Sequence, residues 1–272
     1  MKFIQLVALA ALTLVSTCAL AQLPFIIIIP SYNNEQWCER NLLSALEQNY
    51  DNFQIIYIND CSKDRTYDLV LELIKTHPRG NKVILINNSE RCGSALGNLY
   101  KAIHACPDEA IIVTVDGDDW LAHDKVLARL EQEYADPNVW MTHGSYLSWP
   151  AYTRDPWIHP LPQSVIDNHA YRRYQWVTTH LRTFYARLFK LIKKEDLLYQ
   201  DSFFSMAGDL AWMFPLLEMA GNHSRYIEDV LYIYNRGNPI SDRYIDRTLQ
   251  VQLEQVIRAK NSYAPLSTLF IS

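Results

Sequence analysis

The sequence predicts an α/β fold built on an open, mostly parallel sheet with helices on both faces. Three observations lead there. Short apolar runs alternate with helix-like segments four times between residues 25 and 118. The runs lack the in–out alternation of a half-exposed strand, as expected for parallel strands buried on both sides. Each run also ends in polar residues, two of them in carboxylates, and ligands in such sheets bind beyond the carboxyl ends of the strands.

The elements follow in order. Phe25-Ile26-Ile27-Ile28-Ile29 is a β-branched run closed by Pro30, and Asn33 or Asn34 is placed to cap a helix over 35–48. Cys38, Leu42, Ala45 and Leu46 give that helix one apolar face. A second strand is predicted over 54–59, a helix from 62 to 76, a third strand over 82–87, and a helix over 94–105. The fourth strand, 110–115, ends at Asp116-Gly117-Asp118-Asp119. Residues 140–168 are rich in Pro, Trp and His and read as irregular structure. Helices are expected over 171–189 and 208–220, a strand over 230–234, and a last helix over 246–260. The four post-strand segments, beginning at Pro30, Asp60, Asn87 and Asp116, are expected to converge on one rim of the sheet.

At 272 residues, 49% of them hydrophobic, the chain can bury a sizeable core. The formal net charge of -5, with no Lys/Arg run, argues against a nucleic-acid partner. Lys2, the apolar run 3–15 and Ala19-Leu20-Ala21 read as a secretory signal, cleaved before Gln22. The expected organisation is a signal over 1–21 and a single domain over 22–272. That domain divides into a first half over 24–125, a second half over 126–241, and a C-terminal helix and tail over 242–272. The signal implies export or a secretory lumen, ER or Golgi in a eukaryotic host. Retained as an anchor, it would give membrane association and leave the protein on the cytoplasmic face. After cleavage Cys38, Cys61, Cys92 and Cys106 remain, an even count that permits disulfides without any metal-type spacing.

Asp116-x-Asp118 at a strand end carries the chemistry. Mg²⁺ and Mn²⁺ prefer carboxylate oxygens, and an open site of one or two carboxylates suffices when a diphosphate supplies further ligands. Gly117 lets the turn approach a ligand closely. Alone, such a pair is as readily a solvated or capping turn.

Four linked segments sharpen this. Residues 28–33, 58–64, 88–98 and 115–119 resemble, in order and spacing, the signature of family-2 glycosyltransferases. The resemblance covers 24–125 and implies the GT-A fold, with 24–125 as the nucleotide-sugar-binding half and 126–241 as the acceptor-side half. It also implies an inverting transfer of a hexose or N-acetylhexosamine from a nucleotide sugar, UDP favoured, to a hydroxyl acceptor. It implies that Pro30 and Tyr32 lie along the nucleobase, Asp60 accepts from the uracil imide, Asp116 lies near ribose and metal, and Asp118 binds Mn²⁺ or Mg²⁺ directly. Asp119 is expected to cap the next helix. Asp209 matches the family's catalytic base, with helix capping as its competing role. Arg182 or His180 is expected at the diphosphate or acceptor, and Arg236 near phosphate; His143 and His223 are spare candidate ligands. Two departures are notable. Gly97 stands where the family often has Arg, with Arg91 a candidate substitute, and Gly208 stands where Glu is common. They motivate a second reading, a degenerate protein that binds nucleotide sugar or glycan without turnover. A nucleotidyltransferase would show a Gly-rich basic loop after the first strand, and Ser31-Tyr32-Asn33-Asn34 is neither.

Overall fold

The computed structural model describes residues 22–240 and 246–270. The expected signal, its cleavage point and the 241/242 boundary fall outside them. Strand β1 (Phe25–Ser31) pairs in parallel with β2 (Phe53–Asn59) on one side and β4 (Ile111–Thr114) on the other; β3 (Val83–Asn87) extends the sheet beyond β2. The chain runs outward from β1 to β3 and then returns across β1 to β4, so the strand order reverses between β1 and β4. A crevice opens at such a reversal.

Both faces of β1 are covered, which is why its sequence is unbroken in apolarity. Phe25, Ile27 and Ile29 pack with helices α1 (Cys38–Leu46), α2 (Thr66–Thr76) and α4 (Val126–Tyr134). Ile26 and Ile28 belong to the opposite core, with α3 (Ala95–Ala105), α6 (Ala186–Lys190), α7 (Gly208–Ala220) and the C-terminal helix Arg247–Ala259. A single short helix, α5 (Gln163–Asp167), lies in the segment between them.

Beyond β4 the sheet turns mixed. Strand β7 (Thr179–Tyr185) runs antiparallel to β4 and to β6 (Met141–Trp149). The long β10 (Ser224–Asn235) is parallel to β6 and carries the two-residue β5 (Trp120–Leu121) on its far edge. A separate two-stranded ribbon pairs β8 (Leu198–Tyr199) with β9 (Ser202–Phe203).

Two expectations are corrected here. Residues 140–168 are not wholly irregular, because they contain β6. Residues 171–189 are not one helix but a 3-10 turn at Tyr171–Arg173, the strand β7 and, at their end, α6. In both cases the strand is buried yet polar. Thr183 Oγ1 is 2.7 Å from Thr142 Oγ1 and 2.8 Å from Tyr134 Oη, and Ser145 donates to the Glu228 carbonyl at 3.0 Å. Hydrogen bonding between neighbouring elements satisfies these groups, so no apolar periodicity survives to mark them. The capping expectations also change. The N-cap of α1 is Trp37, without a side-chain cap, and Asn34 contributes through its carbonyl. Asp246 does cap the C-terminal helix, accepting from Leu249. The four cysteines are free thiols. No helix among the described residues is long and apolar enough to cross a membrane.

Helix α7 is fixed to its surroundings by a buried ion pair. Arg172 donates to Glu218 at 2.6 and 3.0 Å, and Glu218 also accepts from the Tyr263 amide at 3.0 Å. Glu218→Ala strands the buried Arg172 charge and is expected to cost about 3–5 kcal/mol of stability, read by urea unfolding. His143, a spare metal ligand on sequence grounds, instead sits buried in β6 beside Tyr226. Burial, with the Arg182 charge adding to it, lowers its pKa from 6.5 to about 3. Between those pH values the unfolded chain takes up a proton that the fold refuses. Stability therefore falls with pH, by about 2 kcal/mol at pH 5 relative to pH 7.5. In unfolding experiments at the two pH values, that share of the slope is expected to vanish in His143→Gln.

Candidate active site

The crevice at the strand reversal is a cleft of about 560 Å³. Pro30, Tyr32, Asp60, Asp116, Asp118, Arg182 and Asp209 all line it. Arg236 does not. Its guanidinium is drawn to Ser148 Oγ at 2.8 Å and to the Asp155 carboxylate, away from the position expected near phosphate.

Loop geometry after β1 and β2 is set by side chains that bridge them. Tyr57 Oη donates to Ser31 Oγ at 2.9 Å, Ser62 Oγ receives the Asn33 amide at 2.9 Å, and Asn33 Oδ1 receives the Lys63 amide at 2.8 Å. Asp60 sits at the cleft's inner edge, 3% exposed. Burial works to raise its pKa. Hydrogen bonds from the Cys92 amide, Asn88 and Asn98, together with the Arg91 charge, outweigh that and hold it below the usual carboxylate range.

The turn after β4 depends on residues that sequence reasoning missed. Buried Asn41 of α1 donates to the carbonyls of Asp116 and Asp119 at 2.9 and 2.7 Å. A polar residue on the otherwise apolar face of α1 was the available signal. Gly117 is required, since a Cβ there would lie 2.6 Å from Ser31 Cβ. Asp119 does not cap a helix. Its Oδ1 accepts from the Asn235 amide at 2.6 Å and its Oδ2 from Tyr232 Oη at 2.7 Å. Burial, then Asp118 and Asp116, push its pKa well up. Asn238 donates to Asp118 Oδ2 at 2.7 Å.

Asp116 keeps a 47% exposed side chain toward the cleft, with its Oδ2 3.3 Å from His180 Nε2. His180 stacks on Tyr232 at 4.5 Å. Burial and the Arg182 charge lower its pKa, with Asp116 partly offsetting them. Desolvation works against ionised Asp116, but His180 and Arg182 outweigh it and hold the pKa below the usual range. Ligand atoms of Asp116, Asp119 and His180 lie within 4.8 Å of one another, a carboxylate–imidazole set that suits a divalent cation. Asp118, paired with Asp116 on sequence grounds, stands outside this trio. Within it Asp119 is the weakest donor, because both its oxygens already accept hydrogen bonds.

Asp209 occupies the first turn of α7, whose N-cap is Ala207, with φ +53° and no side-chain cap. Asp209 therefore does not cap. Its Oδ2 accepts from Arg182 Nη2 at 2.8 Å, and Arg182 Nη1 stands 3.1 Å from His180 Nε2. A chain of polar contacts thus links Asp209 to Asp116 across the cleft floor. His223 stacks on Trp140 and donates from Nδ1 to the Asn138 carbonyl at 2.7 Å, outside the cleft lining.

Known proteins resemble this chain in sequence and in fold. The model of the family "Glycosyl transferase family 2" matches residues 26–198. An uncharacterized glycosyltransferase of Haemophilus influenzae is 31% identical over 120 residues, 44% of this chain and 46% of its own. A putative teichuronic acid biosynthesis glycosyltransferase of Bacillus subtilis, TuaG, is 31% identical over 105 residues, 39% of this chain and 40% of its own. The matched stretch spans less than half the length of either relative. Among solved structures, S. aureus TarS in complex with UDP-GlcNAc superposes with a TM-score of 0.62 at 17% identity, over 86% of this chain and 65% of that one. The mannosyltransferase PcManGT from Pyrobaculum calidifontis, in complex with GDP-Man and Mn²⁺, gives 0.58 at 20% identity, over 89% and 66%. These structures share the GT-A architecture, a mixed, mostly parallel sheet with helices. With the family model matching well over half of its length, this chain belongs to glycosyl transferase family 2.

Proposed function

We propose that the protein is a metal-assisted, inverting glycosyltransferase that moves a hexose or N-acetylhexosamine from a nucleotide sugar, UDP-linked by preference, to a hydroxyl acceptor. One observation carries this reading. Carboxylates from three separate elements, Asp60 after β2, Asp116 and Asp118 after β4, and Asp209 on α7, line a single cleft at the strand reversal. Two structural neighbours were solved with UDP-GlcNAc and with GDP-Man plus Mn²⁺, which supports a nucleotide-sugar donor and a divalent cation.

Each residue then has a task. Tyr32 and Pro30 lie along the base, and Asp60 accepts from its N–H edge. Asp116 and Asp118 would hold Mn²⁺ or Mg²⁺, with His180 beside them, and such a cation would offset charge developing on the departing diphosphate. Asp209 takes the acceptor's hydroxyl proton while that oxygen attacks the anomeric carbon on the face opposite the diphosphate. The new glycosidic bond forms as the bond to the diphosphate breaks. Arg182, 6% exposed in its side chain, fixes the direction of the Asp209 carboxylate.

With UDP-sugars, Mn²⁺ and a glycan acceptor panel, UDP release is expected from the wild type. Asp118→Ala should lower it by about 100-fold or more. Equal activity of the two would remove the cation assignment. Asp209→Asn is expected to cut kcat by about 100- to 10,000-fold while UDP affinity, measured by calorimetry, stays near wild type. An unchanged kcat would put the base elsewhere. UDP binding without transfer to any acceptor would favour the non-catalytic reading, which the engagement of Asp209 by Arg182 and the Gly208 departure motivate.

A further inference from the structure

We propose that the Arg91 guanidinium is an exchangeable stand-in for the donor's nucleobase. It occupies the base subsite of the empty cleft, and a base enters by displacing it. The inference rests on the nucleotide-sugar reading above and adds a residue that this reading does not use.

The cleft has two chemically distinct ends. Asp116, Asp118, Arg182 and Asp209 form a charged end, suited to a cation, phosphates and the reacting sugar. The other end offers the ring of Tyr32 beside the carboxylate of Asp60. A π-face next to a hydrogen-bond acceptor is what a planar heterocycle with an N–H edge requires. Arg91 already fills both roles. Its Cζ lies 3.4 Å from the Tyr32 ring centroid, and its Nε lies 3.6 Å from Asp60 Oδ2. At 3.4 Å the two planes are in van der Waals contact, so a base cannot slide between them. Asp60 Oδ1 meanwhile accepts from Asn88 and from the Cys92 amide, both at 2.8 Å. Oδ2, the oxygen facing Arg91, is therefore the one that a ligand N–H takes over.

The part that moves is the side chain, not its loop. The loop is pinned on either side of Arg91 by those Asn88 and Cys92 bonds to Asp60. Gly97 makes room for this, since a Cβ there would come 2.5 Å from Cys92 Sγ and 3.0 Å from a Phe203 ring carbon. The Arg91 side chain itself is 45% exposed and can swing into solvent at low cost. A guanidinium offers N–H donors in a plane, so the base that replaces it should do the same. Uracil and guanine present such an edge, whereas cytosine turns a bare ring nitrogen toward the carboxylate.

Calorimetry of UDP, GDP and CDP in the presence of Mn²⁺ on wild type, Arg91→Ala and Arg91→Lys tests the proposal. UDP is expected to bind Arg91→Ala about three- to tenfold more tightly than wild type, the range set by losing one stacked cation and one half-exposed ion pair. Arg91→Lys should fall between them, because an ammonium keeps the charge but not the plane. Weaker or unchanged UDP affinity in Arg91→Ala would overturn the proposal and leave the nucleotide-sugar reading standing. If none of the folded proteins binds UDP or GDP, both fall together.

Discussion

Three carboxylates within four residues, at the end of a strand buried on both faces, is an arrangement that should push itself apart. What holds the Asp116–Asp119 turn is a ring of neutral donors from distant parts of the chain. Asn41 comes from α1, Tyr232 and Asn235 from β10, and Asn238 from the segment after it. Neutral donors matter here, because a cation bound permanently to each carboxylate would cancel the charge that a metal site needs. The price is concentrated on Asp119, the most buried of the three, whose pKa burial drives well up. Asp119 is in effect the turn's anchor, and by taking that role it leaves Asp116 and Asp118 directed at the cleft.

This dependence explains why the sheet continues past β4. The first half of the chain alone would supply Asn41 but none of the donors from β10. Strand β10 reaches the turn only because β7 and β6 bridge the gap in the sheet order. The same bridging strand β7 presents His180 and Arg182 on one side, two residues apart as strand periodicity requires. The second half of the chain therefore completes the site begun by the first.

Up to residue 125 the sequence is readable because one physical rule governs it. Strands covered on both faces must be apolar throughout, so β1, β2 and β4 stand out, and the acids that follow them mark the rim. The rule fails for β6 and β7, whose Thr142, Ser145 and Thr183 are buried by virtue of hydrogen bonds made across elements, which no local window contains. It also fails for side-chain direction. Asp209 could be placed on the first turn of α7, but not its turn toward Arg182. Arg236 could be placed at the end of β10, but not its capture by Asp155, which lies in a stretch without periodicity. Asn41 was visible as a polar residue on an apolar face, yet its two acceptors lie 75 and 78 residues away.

Three acids of the cleft each face a base, Asp60 facing Arg91, Asp116 facing His180 and Asp209 facing Arg182. These pairs differ in what donor entry asks of them. A sugar-linked diphosphate brings two negative charges and a divalent cation brings two positive ones, so their joint arrival leaves the net charge of the cleft unchanged. Charge balance alone gives no reason for the other two pairs to break. Arg182, buried and flanked by Trp176 and Trp212, would be costly to strand without its carboxylate. Arg91 is the opposite case, half-exposed and seated on the Tyr32 ring. On the proposed reading, shape rather than charge decides which pair yields, and the pair with the half-exposed cation is the one built to do so.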